Sequence, residues 1–207
     1  MLGEEFVLDQ CRANWVRHRP VRKLLINLAG LFASLMTWRN NRKFYFFATK
    51  ILFQLPSPWF ERLNLLRNVL KRTGVAEIIR VRGTGQEVIL VDEGALQTAH
   101  NLFVHLAVDM EPGQLAAFAG LVPLPDAVIY LKQAEEVLVD RTLARGHRRI
   151  PELSQARVAH FVKKAVSMFD ELVEQPAVED RVIVLNGSQE AVMCPACQDR
   201  RGHLDVR

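Results

Sequence analysis

An acidic pair, Asp92 and Glu93, follows directly on the unbroken apolar run at 88–91. A run of this kind suits a strand that is buried on both faces of a parallel sheet. The two carboxylates then lie at the carboxyl end of that strand, where open α/β sheets bind their ligands. A second interpretation makes Asp92 a cap of the following helix, through a hydrogen bond at Gly94 and Ala95.

Arginines cluster beyond the next apolar run, at Arg141, Arg145, Arg148 and Arg149. Arg141 and Arg145 are four residues apart, so they share one helix face near its carboxyl end. Guanidinium groups are always charged and bind phosphate oxygens through paired hydrogen bonds. Carboxylates at one strand end and arginines beyond the next strand therefore predict a phosphate-handling site. The alternative for each arginine is a solvated helix end that the helix dipole favours.

Three apolar strands must position these residues, at 88–92, 127–131 and 182–185. Between the second and third strands, apolar spacing predicts helices at 133–146 and 153–174. We expect the strands to form a parallel sheet, with these helices as right-handed crossovers. The predicted fold class is α/β, with a partial parallel sheet flanked by helices and a mainly helical, basic N-terminal half.

The N-terminal half is basic and has a helical pattern. Residues 1–72 contain 13 Lys and Arg against 4 Asp and Glu, whereas residues 73–207 contain 14 against 19. Such a region suits nucleic acid, an anionic membrane or phosphorylated ligands, and it is also typical of a solvated surface. Helical spacing is clearest at Leu24, Leu25, Leu28, Leu31, Phe32 and Leu35. We interpret this stretch as a buried helix, with an interfacial membrane helix as the alternative.

Four segments along residues 86–190 occur in a recognisable order: Val91-Asp92-Glu93, 125–131, 140–146 and 186–188. They are a strand ending in an acidic pair, a strand opening with Pro-Asp, a lid-like Asp-Arg-Thr-Leu-Ala-Arg-Gly, and a strand ending in Asn-Gly-Ser. This order resembles the P-loop nucleoside and nucleotide kinases, most closely the thymidylate-kinase-like branch. The resemblance implies a P-loop-kinase-like fold and phosphoryl transfer that depends on ATP and magnesium.

The resemblance also implies roles for the basic residues. Arg145, with either Arg148 or Arg149, would neutralise the transferring phosphoryl group. Arg141 would lie near the adenine and ribose of ATP. The nucleotide site would comprise Arg141, Asn186 and Gly187.

For the acidic pair, the resemblance implies that Asp92 holds magnesium through water. Magnesium prefers oxygen ligands and keeps several waters, so one carboxylate suffices for such a contact. Glu93 departs from the arginine that is common at this place in thymidylate kinases. That departure argues against a nucleoside monophosphate as the phosphoryl acceptor.

The loop with which this family grips phosphate does not occur in the 207 residues. Its fingerprint is Gly-x-x-x-x-Gly-Lys followed by Ser or Thr, between a strand and a helix. We therefore expect either a truncated reading frame or a domain that lost catalysis and kept binding, as a scaffold. A peripheral membrane protein that uses the basic helical half is the third alternative.

The cysteines, Cys11, Cys194 and Cys197, are odd in number, which does not suggest a disulfide framework. A reducing, cytoplasmic location is expected. Cys194 and Cys197 have the spacing of a zinc knuckle but lack a fourth ligand nearby, which favours an unpaired thiol pair. The acidic residues at positions 4, 5 and 9 have the wrong charge sign for a signal peptide.

We expect a helical basic region at 1–85, a kinase-like α/β core at 86–192 and a polar tail at 193–207. The first two belong to the same domain. Gly74 is expected to break or bend the helical pattern of the basic region. The expected partner is a nucleotide or another phosphorylated small molecule. Nucleic acid is not expected, a membrane surface stays the alternative partner, and the oligomeric state is left open.

Overall fold

The computed structural model describes residues 19–82, 88–147, 150, 154–186 and 192–193. The chain divides into two compact units, Met1–Leu102 with Leu121–Leu124, and Phe103–Gly120 with Pro125–Arg207. The described residues are mainly helical and include one small sheet, so the class is mixed α/β. None of the described helices is long and apolar enough to cross a membrane.

Three long helices build the described part of the first unit: α1 Arg19–Met36, α2 Trp38–Gln54 and α3 Trp59–Arg82. A break in the helical structure follows α2. Leu55 is already extended, and prolines at positions 56 and 58 follow it. Arg62 fixes this corner, because its guanidinium donates to the carbonyl oxygens of Ser57 at 2.8 Å and Phe53 at 3.2 Å.

Glycines allow α1 and α3 to approach each other at backbone distance. A β-carbon at Gly30 would lie 2.8 Å from the carbonyl oxygen of Lys71, and one at Gly74 would overlap the Gly30 carbonyl oxygen. The predicted break of the helical pattern at Gly74 does not occur, because Gly74 lies inside α3. Its missing side chain serves the contact with α1, and the contact offsets the low helix propensity of glycine.

A buried carboxylate links α2 to α3. Glu77 is 3% exposed, and it accepts hydrogen bonds from the Asn41 amide at 2.9 Å and the Arg80 guanidinium at 2.7 Å. Tyr45 is also buried, and its hydroxyl has no hydrogen-bond partner among the described residues. Burial raises the pKa of Tyr45 to about 12, and the charge of Glu77 acts in the same direction. The nearby hydroxyls of Thr37 and Ser34 donate instead to backbone carbonyls.

The segment at 88–91 is not a strand, so this part of the predicted sheet is wrong. Val88 is 95% exposed and Leu90 is 51% exposed. Asp92 and Glu93 form a turn, which leads to a short 3₁₀ helix at Ala95–Gln97. An extended segment forms a strand only when a neighbour satisfies its backbone groups, and none of the described strands lies beside this one.

The remaining helices and strands follow in this order: α4 Thr98–Phe103, α5 Gln114–Leu121, β1 Val128–Lys132, α6 Glu135–Arg145, α7 Gln155–Val173, a 3₁₀ turn at Glu179–Arg181, β2 Val182–Asn186 and β3 Val192–Met193. The predicted parallel pairing of the second and third apolar strands is confirmed, since β1 runs parallel to β2. α6 and α7 connect them. The third strand of the sheet is β3, which pairs antiparallel with β2.

Helix α7 begins at a capping serine and anchors the second unit. The Ser154 hydroxyl accepts from the backbone N–H of Arg157, and Val158, Phe161 and Leu172 are buried along the helix. The helix also holds a preceding loop, because the Lys164 ammonium donates to backbone oxygens at 2.8 and 2.9 Å. Its salt bridge with Asp109 lowers the pKa of that exposed carboxyl group.

Alanine substitution of two helical glycines, at positions 74 and 120, tests the close crossing. We expect Gly74→Ala to destabilise the protein by about 2 kcal/mol or more, because the added methyl group meets backbone atoms of α1. Gly120→Ala is the matched control. Gly120 is exposed in α5, and a β-carbon added there would meet no other part of the chain within 4 Å, so alanine should stabilise the protein by about 0.5–1 kcal/mol. Urea unfolding measures both. A neutral Gly74→Ala variant would contradict the crossing.

Candidate functional site

Asp92 is exposed in the turn that follows the segment at 88–91 of the first unit. It makes no hydrogen bond or ion pair with the described residues. The alternative interpretation of Asp92 as a helix cap is wrong, because Gly94 is the residue that precedes the 3₁₀ helix and no side chain caps it. The carboxylate is therefore open to a ligand from solvent.

Glu93 is the residue that fixes this turn. Its backbone is left-handed, with φ at 57°, and its carboxylate pairs with the Arg72 guanidinium of α3 at 2.5 Å. The Arg72 side chain is largely buried whereas that of Glu93 is exposed. An acidic residue at position 93 thus holds the turn against α3. Arg72 is not among the predicted site residues, because no spacing distinguishes it from the other basic residues of this half.

Arg141 and Arg145 lie on the last turns of α6, and both are exposed. The Arg145 guanidinium donates to the Arg141 carbonyl oxygen at 3.3 Å, within the carboxyl end of the helix. The expected stop is confirmed, since Gly146 ends the helix with φ at 71°. This placement satisfies both interpretations of the arginines, as phosphate ligands and as solvated residues of a helix end. Arg148 and Arg149 lie outside the described residues.

Lys132 and Asn186 are paired at the carboxyl ends of the two parallel strands. Ligands bind at this edge in open α/β sheets, so Asn186 lies at the edge where such sheets bind their ligands. Gly187 lies outside the described residues. Lys132 is a cation that the sequence analysis missed. Its position in the sequence, at the end of an apolar strand and just before a helix, is the signal that could have identified it.

Lys132 is held in place by α7. Its ammonium donates to Asp170 at 3.0 Å, and the Tyr130 hydroxyl donates to the same carboxylate oxygen at 3.0 Å. Burial raises the pKa of Tyr130, and the hydrogen bond to Asp170 adds to the shift. The phenol therefore stays protonated and donates to the same Asp170 oxygen that positions the Lys132 ammonium.

The described residues provide a partial fit to the two expected cofactors. A single exposed carboxylate, Asp92, fits magnesium that is held through water. The described residues include no group of three or more His, Cys, Asp or Glu that could bind a metal directly. For ATP, the second unit supplies positive side chains at 132, 141 and 145, but the sequence contains no backbone nest of the P-loop kind.

The predicted site residues fall in different compact units. Asp92 belongs to the first unit, and Arg141, Arg145 and Asn186 belong to the second. Within the second unit the structure brings Arg141 and Arg145 together on one helix. It also joins Asn186 to Lys132 at one sheet edge.

Comparison of the chain with protein families, with curated proteins and with solved structures finds no match.

The left-handed turn can be tested at Glu93 by two substitutions that both remove the ion pair. Glu93→Ala keeps the unfavourable φ, whereas Glu93→Gly relieves it, so glycine should be more stable than alanine by about 1 kcal/mol. The lost ion pair is partly exposed and should cost both variants at most about 1 kcal/mol. Urea unfolding compares them. Equal stability of the alanine and glycine variants would contradict a left-handed residue at this position.

Proposed function

We propose that this chain is a P-loop-kinase-like domain, whose full form is a phosphotransferase that uses ATP and magnesium. The observation that carries the proposal is the parallel pair of β1 and β2, connected through α6 and α7. This is the connection that the resemblance implies for the second and third apolar strands. The basic residues Lys132, Arg141 and Arg145 all follow β1 in this connection.

The positive side chains are suited to a phosphate ligand for a physical reason. Phosphoryl transfer spreads negative charge over the equatorial oxygens, and catalysis consists largely of positioning and charge stabilisation. Arg141 and Arg145 provide permanent charge on one helix face. Lys132 provides an ammonium group that Asp170 positions, and the Tyr130 hydroxyl donates to the same Asp170 oxygen.

Asp92 has the complementary role in the proposal. Its carboxylate is exposed and unpaired among the described residues, so it is available to water molecules of a metal ion. Magnesium, when bound, would offset the negative charge of the phosphate oxygens. The ion pair of Glu93 with Arg72 determines the backbone geometry from which Asp92 extends.

Phosphoryl transfer requires a P-loop from outside these 207 residues, because the sequence contains none. A scaffold that uses the same fold without catalysis is the competing function. The experiment is to express the longest reading frame that contains this sequence and to titrate it with ATP and magnesium by calorimetry. We expect an in-frame P-loop and saturable binding, with no saturable binding by the 207 residues alone. A frame without the loop, together with no binding heat, would overturn the proposal in favour of the scaffold.

Two substitutions test the assigned residues. They are made in the protein that the longest reading frame encodes. Asp92→Asn keeps the shape and removes the charge, and Arg145→Ala removes one guanidinium from an exposed helix end. Each should lower turnover by about 100-fold or more, because charge stabilisation is a large part of this chemistry. Neither side chain is buried, so the melting temperature should stay within about 3 °C.

Turnover of the variants is measured with a panel of nucleosides and other phosphate acceptors, and melting is followed by circular dichroism. Lys163→Gln, at an exposed position on α7, is the matched charge control and should keep full turnover. Unchanged turnover of the Asp92→Asn variant would contradict the proposed role of Asp92 in holding the metal.

A further inference from the structure

Helix α1 packs with its small residues inward and its large apolar residues outward. Gly30 and Ser34 are buried, and Gly30 lies at the crossing with α3. The opposite side, which we call the outer face of α1, consists of Leu24, Leu28, Phe32, Leu35 and Met36, all of them exposed. The interpretation of this stretch as a buried helix is therefore wrong for these residues. A surface helix of a soluble protein has the reverse arrangement, with its apolar stripe toward the core.

The outer face is large enough to act as a docking surface. Phe32 is 64% exposed and Leu35 is 66% exposed. From position 24 to position 36 the face extends over about 18 Å of helix. Isolated exposed apolar residues need no explanation, but a continuous apolar stripe of this length indicates an interaction surface.

The charge of α1 and α2 indicates what covers this face. The two helices contain no Asp or Glu, with three Lys or Arg in α1 and four in α2. On α2, Arg39, Arg42, Lys43 and Lys50 are exposed and pair with no described carboxylate. Phe46 is also exposed on this helix, among the basic residues. We call the exposed side of α2 the basic face.

Exposed tryptophan at the next corner adds to the pattern. Trp59 is 72% exposed at the start of α3, and it lines a shallow apolar groove of about 190 Å³ with Phe53 and Leu63. Tryptophan has a large apolar body and a polar N–H group, so it is enriched where apolar and aqueous surroundings meet. Arg62 lines the same groove and holds the corner in place.

We propose that the outer face of α1 and the basic face of α2 dock on the surface of an anionic lipid bilayer. Amphipathic helices with Leu and Phe on one side and Lys and Arg on the other bind such surfaces through apolar burial and attraction to anionic lipids. A second copy of the chain would bring the same acid-free, basic helices against each other, and like charges disfavour that contact. The proposal is independent of the kinase-like function.

The test is co-sedimentation of the full chain with vesicles of phosphatidylcholine that contain about 30% phosphatidylserine. We expect binding to these vesicles, little binding to pure phosphatidylcholine, and a loss of at least about tenfold in affinity when NaCl is raised from about 0.05 M to about 0.5 M. Binding that is absent, or equal for the two kinds of vesicle, would overturn the proposal.

Matched variants locate the surface. Leu35→Gln on the outer face should weaken vesicle binding by about tenfold, because an apolar side chain no longer enters the bilayer. Leu131→Gln is the control, since Leu131 in β1 has the same 66% exposure as Leu35. Arg42→Gln should weaken binding mainly at low salt. Circular dichroism confirms that each variant is folded.

Two outcomes would overturn the proposal in favour of another occupant or surface. Equal binding of the Leu35→Gln and Leu131→Gln variants would mean that α1 is not the docking element. A concentration-dependent dimer in sedimentation velocity that Leu35→Gln abolishes would mean that a second copy of the chain covers the outer face.

Discussion

The backbone contact between Gly30 and Gly74 is the constraint on which the first unit depends. Neither position has room for a β-carbon, since the added atom would meet carbonyl oxygens of the opposite helix. Close packing gains dispersion energy only where backbones fit each other, so both residues must stay glycine. Because the small side of α1 packs in this contact, Leu24, Leu28, Phe32 and Leu35 lie on the other side, in solvent.

A short stretch of α3 connects that crossing to the candidate site. Arg72, Gly74 and Glu77 lie within six residues of one another. Gly74 contacts α1, Glu77 accepts the hydrogen bond from Asn41 of α2, and Arg72 holds Glu93 and therefore the turn that carries Asp92. Removing a hydrogen-bond partner of a buried carboxylate is costly, because the carboxylate then has neither that hydrogen bond nor water to replace it. The same segment thus fixes both the helix packing and the position of the acidic turn.

Some features could be predicted from the sequence because they depend on local signals. The helix after position 153 begins at a capping Ser154, the helix before Gly146 ends there, and β1 and β2 pair through crossover helices as their apolar runs indicate. The prediction of a strand at 88–91 is wrong. Apolar content favours a strand, but a strand also requires a neighbouring strand that bonds with its backbone. The long-range contacts could not be predicted either, because no local sequence pattern indicates them. The ion pair of Glu93 and the orientation of α1 both depend on residues far away in sequence.

The most direct test of this account measures which side of α1 faces solvent. In a background with the three cysteines replaced by serine, Phe32→Cys and Ser34→Cys are each reacted with a maleimide. The account predicts that the cysteine at 32 reacts at nearly the rate of the unfolded chain, and that the one at 34 reacts about 100-fold more slowly, because it must await local opening. Anionic vesicles should protect position 32. A cysteine at 34 that reacts as fast as the one at 32 would contradict the packing of α1 through its small residues.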